Sequence, residues 1–161
     1  MRRKTFDCSL VFPERKMWGR VRREAGRVTM TRKEITGEGI NGMQEIELTV
    51  DDFETACAFM QCAGMPIKSS QENTRELWRR TGVEVALDTW PGLKPFVEIE
   101  AAAEADVRAV SAELGFDFRD ALFGGVDTVY ERELGIPADE FTKRPEITFT
   151  SPQHHPAPPA A

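Results

Sequence analysis

Apolar and polar residues alternate with period two along most of the chain. The alternation predicts strands over residues 4–12, 17–23, 27–33, 43–50, 70–79, 83–89 and 95–100. Ala25-Gly26 is short enough to link two of them as a hairpin. The period changes to that of a helix after Asp51-Asp52, where a carboxylate caps a stripe of Phe53, Ala56, Cys57, Phe59 and Met60 that Gly64 and Pro66 end. A second helix is predicted over 102–114, closed by Gly115, and a third over 126–134, closed by Gly135. Glu146-Ile-Thr-Phe reads as a last short strand, and the Pro/Ala tail behind it has too little apolar surface to fold.

The charges within the strands are ordered. Side chains at i and i+2 of a strand share a face. Arg20 pairs with Arg22, Thr29 and Thr31 with Lys33, Glu45 with Glu47, Glu84 with Asp88, and Glu98 with Glu100, while apolar residues turn to the other side. Basic residues come from early strands and acidic pairs from middle and late ones. Two architectures accommodate this: a solvated sheet face laced with cross-strand ion pairs, or a barrel with the charged face inward, lining a polar cavity. In the second, one wall suits phosphate oxygens. The other suits a hard divalent cation that bridges to the same phosphates.

Composition narrows the picture. With 161 residues, 40% hydrophobic and 30% charged, the chain is expected to form one main domain over 1–144, followed by a short strand and a disordered tail over 145–161. The net charge of −6 argues against a nucleic-acid partner. No apolar run reaches the ~20 residues of a membrane span, and no secretory signal is evident, so no membrane association and a cytoplasmic location are expected. Cys8, Cys57 and Cys62 show no metal-ligand spacing, and the helical pair reads as small core residues. His154 and His155, the two histidines, lie in the tail, which excludes catalysis by a core histidine. Gly37-x-Gly39-x-x-Gly42 falls between strands and reads as a hairpin loop rather than a dinucleotide site. Trp18, Trp78 and Trp90 read as packing residues.

Five segments occur in the order of a known family: Trp18-Gly-Arg20-Val-Arg22, Val28-Thr-Met-Thr-Arg-Lys33, Glu45-Ile-Glu47, Gln71-Glu-Asn-Thr-Arg75-Glu-Leu-Trp78, and Asp88-Thr-Trp-Pro-Gly-Leu-Lys-Pro-Phe-Val-Glu98-Ile-Glu100. The chain thereby resembles the CYTH domain, which includes class IV adenylate cyclases and thiamine or inorganic triphosphatases, the triphosphate tunnel metalloenzymes. The resemblance implies an α+β fold with an eight-stranded antiparallel, tunnel-like β-barrel and helices outside. It implies phosphate binding by Arg20, Arg22, Lys33 and Arg75, with Lys33 and Arg75 also catalytic. It assigns Glu45, Glu47, Asp88, Glu98 and Glu100 to a Mg²⁺ or Mn²⁺ site, and names a triphosphate compound (ATP, thiamine triphosphate or tripolyphosphate) as ligand.

Three departures accompany the resemblance. The family's opening Glu-x-Glu-x-Lys strand has no counterpart before Arg2-Arg3-Lys4-Thr5-Phe6-Asp7, Met43 replaces an expected Arg, and Asn73 an expected Lys. The missing strand leaves the barrel incomplete, with two unpaired edges. An upstream start is the favoured explanation; the others are filling of the gap by Glu146-Ile-Thr-Phe, filling by a second chain in a homodimer, or loss of activity. The expected function is metal-dependent binding and hydrolysis of a triphosphate. The alternatives are cyclisation of ATP and a non-catalytic module that binds polyphosphate, nucleotide or a partner.

Overall fold

A computed structural model describes residues 1–37 and 42–151. Its described strands run β1 (Arg2–Asp7), β2 (Met17–Glu24), β3 (Arg27–Ile35), β4 (Met43–Val50), β5 (Ile67–Glu72), β6 (Thr74–Arg80), β7 (Val83–Thr89), β8 (Phe96–Ala101) and β9 (Glu146–Ile147). The helices are α1 (Phe53–Cys62), α2 (Glu104–Glu113), α3 (Val126–Leu134) and the single turn α4 (Ala138–Phe141). The fold is α+β and mostly antiparallel, as the sequence implies. The barrel is not closed. A six-stranded sheet of order β4-β3-β2-β1-β5-β9 stands beside a three-stranded sheet of order β6-β7-β8, so among the described strands β4 and β8 are unpaired edges, as are β9 and β6 at the other ends. The segment after Pro145 does not lie between β4 and β8. β9 pairs in parallel with β5, Ser70 opposite Glu146.

The β2–β3 hairpin turns through Ala25 at φ 45° and Gly26 at φ 83°. Two consecutive left-handed residues give the turn whose twist matches that of the flanking strands. It sets a register in which Arg20 faces Thr31 and Arg22 faces Thr29. The β3–β4 pair carries this on, with Thr31 opposite Glu47 and Lys33 opposite Glu45. Gly39 and its neighbours in the glycine-rich link lie outside the described residues, as do His154, His155 and the tail. At the near end of that link Thr36 N donates to Gly42 O at 2.9 Å.

Two strands end differently from the sequence pattern. The first stops at Asp7, whose Oδ1 accepts from Ser9 N at 2.8 Å, and the chain turns with Phe12 N bonded to Cys8 O at 2.8 Å. The expected single strand over 70–79 is two, broken at buried Asn73, where the chain crosses from one sheet to the other.

α1 is capped by Asp52, whose Oδ1 accepts from Thr55 N at 2.7 Å. Its stripe of Phe53, Ala56, Cys57 and Met60 packs on Phe6, Val21 and Val28 of the large sheet. At Gly19 the absence of a Cβ leaves room for the tip of Met60 from α1. Full burial of Phe53 contributes about 1.5–3 kcal/mol. Cys62, on the opposite side of α1, is exposed rather than core. A second core forms where Tyr130 of α3, Ile136 of the link that follows and Phe141 of α4 close over Trp90 and Leu93, and Ile147 joins it. Tyr130 OH donates to Pro91 O, pinning the loop between β7 and β8. The three tryptophans diverge: Trp90 is buried, Trp18 partly buried, and Trp78 stands 64% exposed on the side of the small sheet away from its charged face.

Candidate active site between two charged sheets

Register places the site residues. On the large sheet Arg3 lies opposite Arg22, and Thr5 opposite Arg20. With the β2–β3 and β3–β4 registers this puts Arg3, Arg20, Arg22, Thr29, Thr31, Lys33, Glu45 and Glu47 on one face. On the small sheet Arg75 lies opposite Asp88, Ala86 opposite Glu98, and Glu84 opposite Glu100. That parity puts Arg75, Asp88, Glu98 and Glu100 on one face as well. The two faces interact: Arg20 feels the charge of Arg75, and Lys33 those of Glu98 and Glu45. They therefore look toward each other across the space between the sheets.

On the large sheet the carboxylates are held by cations. Lys33 Nζ pairs with Glu45 Oε1. Glu47 Oε2 lies 3.4 Å from Arg20 and 3.5 Å from Arg22, and accepts from Thr31 Oγ1 at 2.9 Å. Burial works against the Glu47 carboxylate, but Thr31 and the two guanidiniums hold its pKa below the ordinary value. Burial, then the like charge of Arg22, pushes Arg20 down; burial, then Arg20, does the same to Lys33.

The small sheet has the opposite excess. Arg75 grips Asp88 with two parallel bonds of 2.7 and 2.6 Å and also contacts Glu98. Although burial opposes it, Asp88, Glu98 and Glu100 raise the Arg75 guanidinium above its normal range. Glu100 is the carboxylate left over. Burial and the adjacent Glu98 raise its pKa, and among the described residues no Lys or Arg forms an ion pair with it.

All nine residues named from sequence thus lie on the two facing surfaces. The five carboxylates do not converge: no three His, Cys, Asp or Glu side chains come together as a metal cluster among the described residues. Glu45, Glu47, Asp88 and Glu98 are each engaged with a cation, and Glu100, beside Glu98, is the one of the five without an ion pair among the described residues. Two hard, mutually repelling carboxylates fit Mg²⁺ or Mn²⁺, since Mg²⁺ is commonly held by one or two carboxylates plus substrate phosphates. Two cavities lie elsewhere, about 470 Å³ beside Arg23, Glu72 and Asn73, and about 220 Å³ among Met17, Met30 and Met60.

The pattern reading passed over Arg3. It is 8% exposed, donates from Nη2 to Asn73 Oδ1, and stacks on Trp90 with 4.6 Å from Cζ to the ring centroid. Starting the first strand two residues earlier would have put Arg3 and Thr5 on one face and Phe6 on the other.

The CYTH domain model matches residues 7–115, and the chain belongs to the CYTH domain family. This is the family of triphosphate tunnel metalloenzymes, whose members generally act on triphosphates with Mg²⁺ or Mn²⁺. Among solved structures, the chain is similar to a conserved hypothetical protein from Pyrococcus furiosus, at 20% identity and a TM-score of 0.59, covering 76% of this chain and 79% of that one. It is also similar to a Pyrococcus horikoshii protein, at 19% identity and a TM-score of 0.60, covering 74% and 75%. Both likenesses concern the fold. No curated protein matches the sequence. Among the described residues no helix is long and apolar enough to cross a membrane.

Proposed function

We propose that the protein binds a triphosphate compound between its two sheets and hydrolyses it with the help of Mg²⁺ or Mn²⁺. What supports this reading is the opposed excess of charge: cations on the large sheet, carboxylates on the small one, close enough for Arg20 to feel Arg75 and Lys33 to feel Glu98. A polyphosphate with its cation satisfies both faces at once. Arg20, Arg22, Lys33 and Arg75 bind the phosphate oxygens, by charge-assisted and, for arginine, forked hydrogen bonds. Arg75, fixed by Asp88, holds the phosphoryl group nearest the small sheet. Lys33, between Arg20 and Glu98, neutralises charge on the leaving oxygens. Glu98 and Glu100 would hold the metal ion, which when bound polarises a phosphoryl oxygen and orients a water. Glu45 and Glu47 keep Lys33, Arg20 and Arg22 aligned until the ligand arrives. No nucleophilic side chain is required.

The test is phosphate release from tripolyphosphate, thiamine triphosphate and ATP with Mg²⁺ or Mn²⁺, with cyclic AMP measured in parallel. Phosphate release that disappears in Glu100→Gln is expected. Cyclic AMP from ATP would replace hydrolysis with the cyclase reaction. The separation of Glu45 and Glu47 on one sheet from Asp88, Glu98 and Glu100 on the other, with no three-carboxylate cluster among the described residues, favours one other reading, a module that binds condensed phosphate without turnover. Calorimetric binding of tripolyphosphate with no product would select it.

A further inference from the structure

Three arginines on the large sheet, Arg3 and Arg20 buried and Arg22 half-buried, each have a buried donor unused. Nε of Arg3, of Arg20 and of Arg22 is shielded from solvent and has no hydrogen-bond partner among the described residues. Arg20 and Arg22 at least lie within 4 Å of carboxylates. Arg3 forms no ion pair with any described carboxylate; its other polar contacts are Asn73 Oδ1 and, at 3.1 Å, Met1 Sδ. A buried charge without a direct ion pair is costly, and here only the more distant Asp88 offsets it. Burial, then Arg20, Arg22 and Arg75, pushes its pKa down to about 9, leaving it charged at neutral pH. A residue serving only to anchor Asn73 and pack on Trp90 would not need that charge.

Position indicates what the charge meets. Lys33, Arg20 with Arg22, and Arg3 stand on β3, β2 and β1, three successive strands of one sheet. Register sets Arg3 opposite Arg22 and Lys33 opposite Trp18, so Lys33 and Arg3 lie two strand spacings apart and four residues apart along the strands, roughly 16 Å between their backbones. A single phosphoryl group cannot bridge what their two long side chains leave open, whereas a chain of three can. Stacking on Trp90 holds the guanidinium plane, and Asn73 takes one donor while Nε remains. Arg3 also lies outside the residues matched to the family.

We propose that Arg3 is a fifth phosphate-binding cation, which takes the end of a condensed phosphate chain and makes the site prefer three phosphoryl groups to two. This rests on the triphosphate reading above, and the experiment separates the two. Tripolyphosphate and pyrophosphate are titrated calorimetrically into the wild type and Arg3→Met at fixed Mg²⁺ and ionic strength, with thermal melting of each free protein. Arg3→Met is expected to weaken tripolyphosphate binding roughly tenfold to a hundredfold. It should change pyrophosphate binding little and leave the free protein's Tm unchanged or higher. Tripolyphosphate binding equal to wild type, with a lowered Tm, would make Arg3 a structural anchor and overturn the inference alone. Equal losses for both ligands would overturn the length preference. A wild type that binds neither ligand would overturn the triphosphate reading itself. Should Arg3→Met not fold, the Arg3 Nε–H resonance of the wild type carries the test. Tripolyphosphate should shift it and pyrophosphate should not; no shift with either would overturn the proposal.

Discussion

The two charged faces solve opposite problems. On the large sheet, Arg3, Arg20, Arg22 and Lys33 are set against Glu45 and Glu47, with Glu24 at the end of β2 3.6 Å from Arg22. On the small sheet, one cation, Arg75, is set against Asp88, Glu98 and Glu100. The difference lies in how each surplus is kept. The cations are spread over three strands, with unused donors behind a buried surface, an arrangement ready for an anion. The carboxylates are concentrated around one arginine, with Glu100 in excess, an arrangement ready for a cation. Neither face is neutral by itself, and a polyphosphate–metal complex is complementary to both.

The largest effect should come from the one fully engaged pair. Asp88 is 2% exposed, so Arg75→Ala leaves a buried carboxylate without its fork partner. A loss of about 3–5 kcal/mol in stability is expected, read from urea unfolding. The conservative Arg75→Lys should recover only part, because one ammonium cannot replace two parallel bonds. Stability unchanged in Arg75→Ala would mean that this pair is not the tie of the small sheet.

The large-sheet cations should behave differently. Arg22→Ala is expected to cost roughly 1.5–3 kcal/mol in tripolyphosphate affinity, measured by calorimetry, and far less in the stability of the free protein. An equal loss in both quantities would erase the contrast between the two faces.

Glu100 supplies a pH test. Its folded pKa is raised, so the native state binds its proton more tightly than the unfolded chain does. That contribution is fully present below the ordinary glutamate value and is lost as pH rises through the raised folded value. Thermal melting across this window, without added metal, should show stability falling in the wild type and a flatter profile in Glu100→Gln. Added Mg²⁺ should restore more stability the higher the pH, because only the carboxylate binds it. A wild-type profile as flat as that of the variant would remove Glu100 from the acidic surplus.

The smallest effect concerns the hairpin that aligns the cations. Ala25 sits at φ 45°, where an alanine side chain is strained. Ala25→Asn should gain on the order of 0.5–1 kcal/mol in stability, since asparagine tolerates this conformation. Ligand affinity should stay constant; a change in affinity would mean that the turn also adjusts the cationic face.

Much of this was legible in the chain. Period-two parity placed Arg20, Arg22, Lys33, Glu45, Glu47, Arg75, Asp88, Glu98 and Glu100 on matching faces, because the side-chain period of a strand is independent of what packs around it. The α1 stripe and an aspartate cap were legible for the same local reason, except that Phe59, read as part of the stripe, is exposed and the choice of Asp52 over Asp51 came from the structure. What parity does not contain is the path between strands. The break at Asn73, which divides the barrel-like arrangement into two sheets, depends on long-range contacts of Asn73 with Arg3 and with the main chain of Met1. Arg3 became visible only once β1 lay beside β2, since an arginine at a strand's first turn looks like any solvated end. The composition of each ion cluster was decided the same way. Parity set which carboxylates share a face, Glu98 with Glu100 among them, but cross-strand register decided that Glu45, Glu47 and Asp88 meet Lys33, Arg20, Arg22 and Arg75. Register is a property of paired strands, so only the tertiary structure contains it.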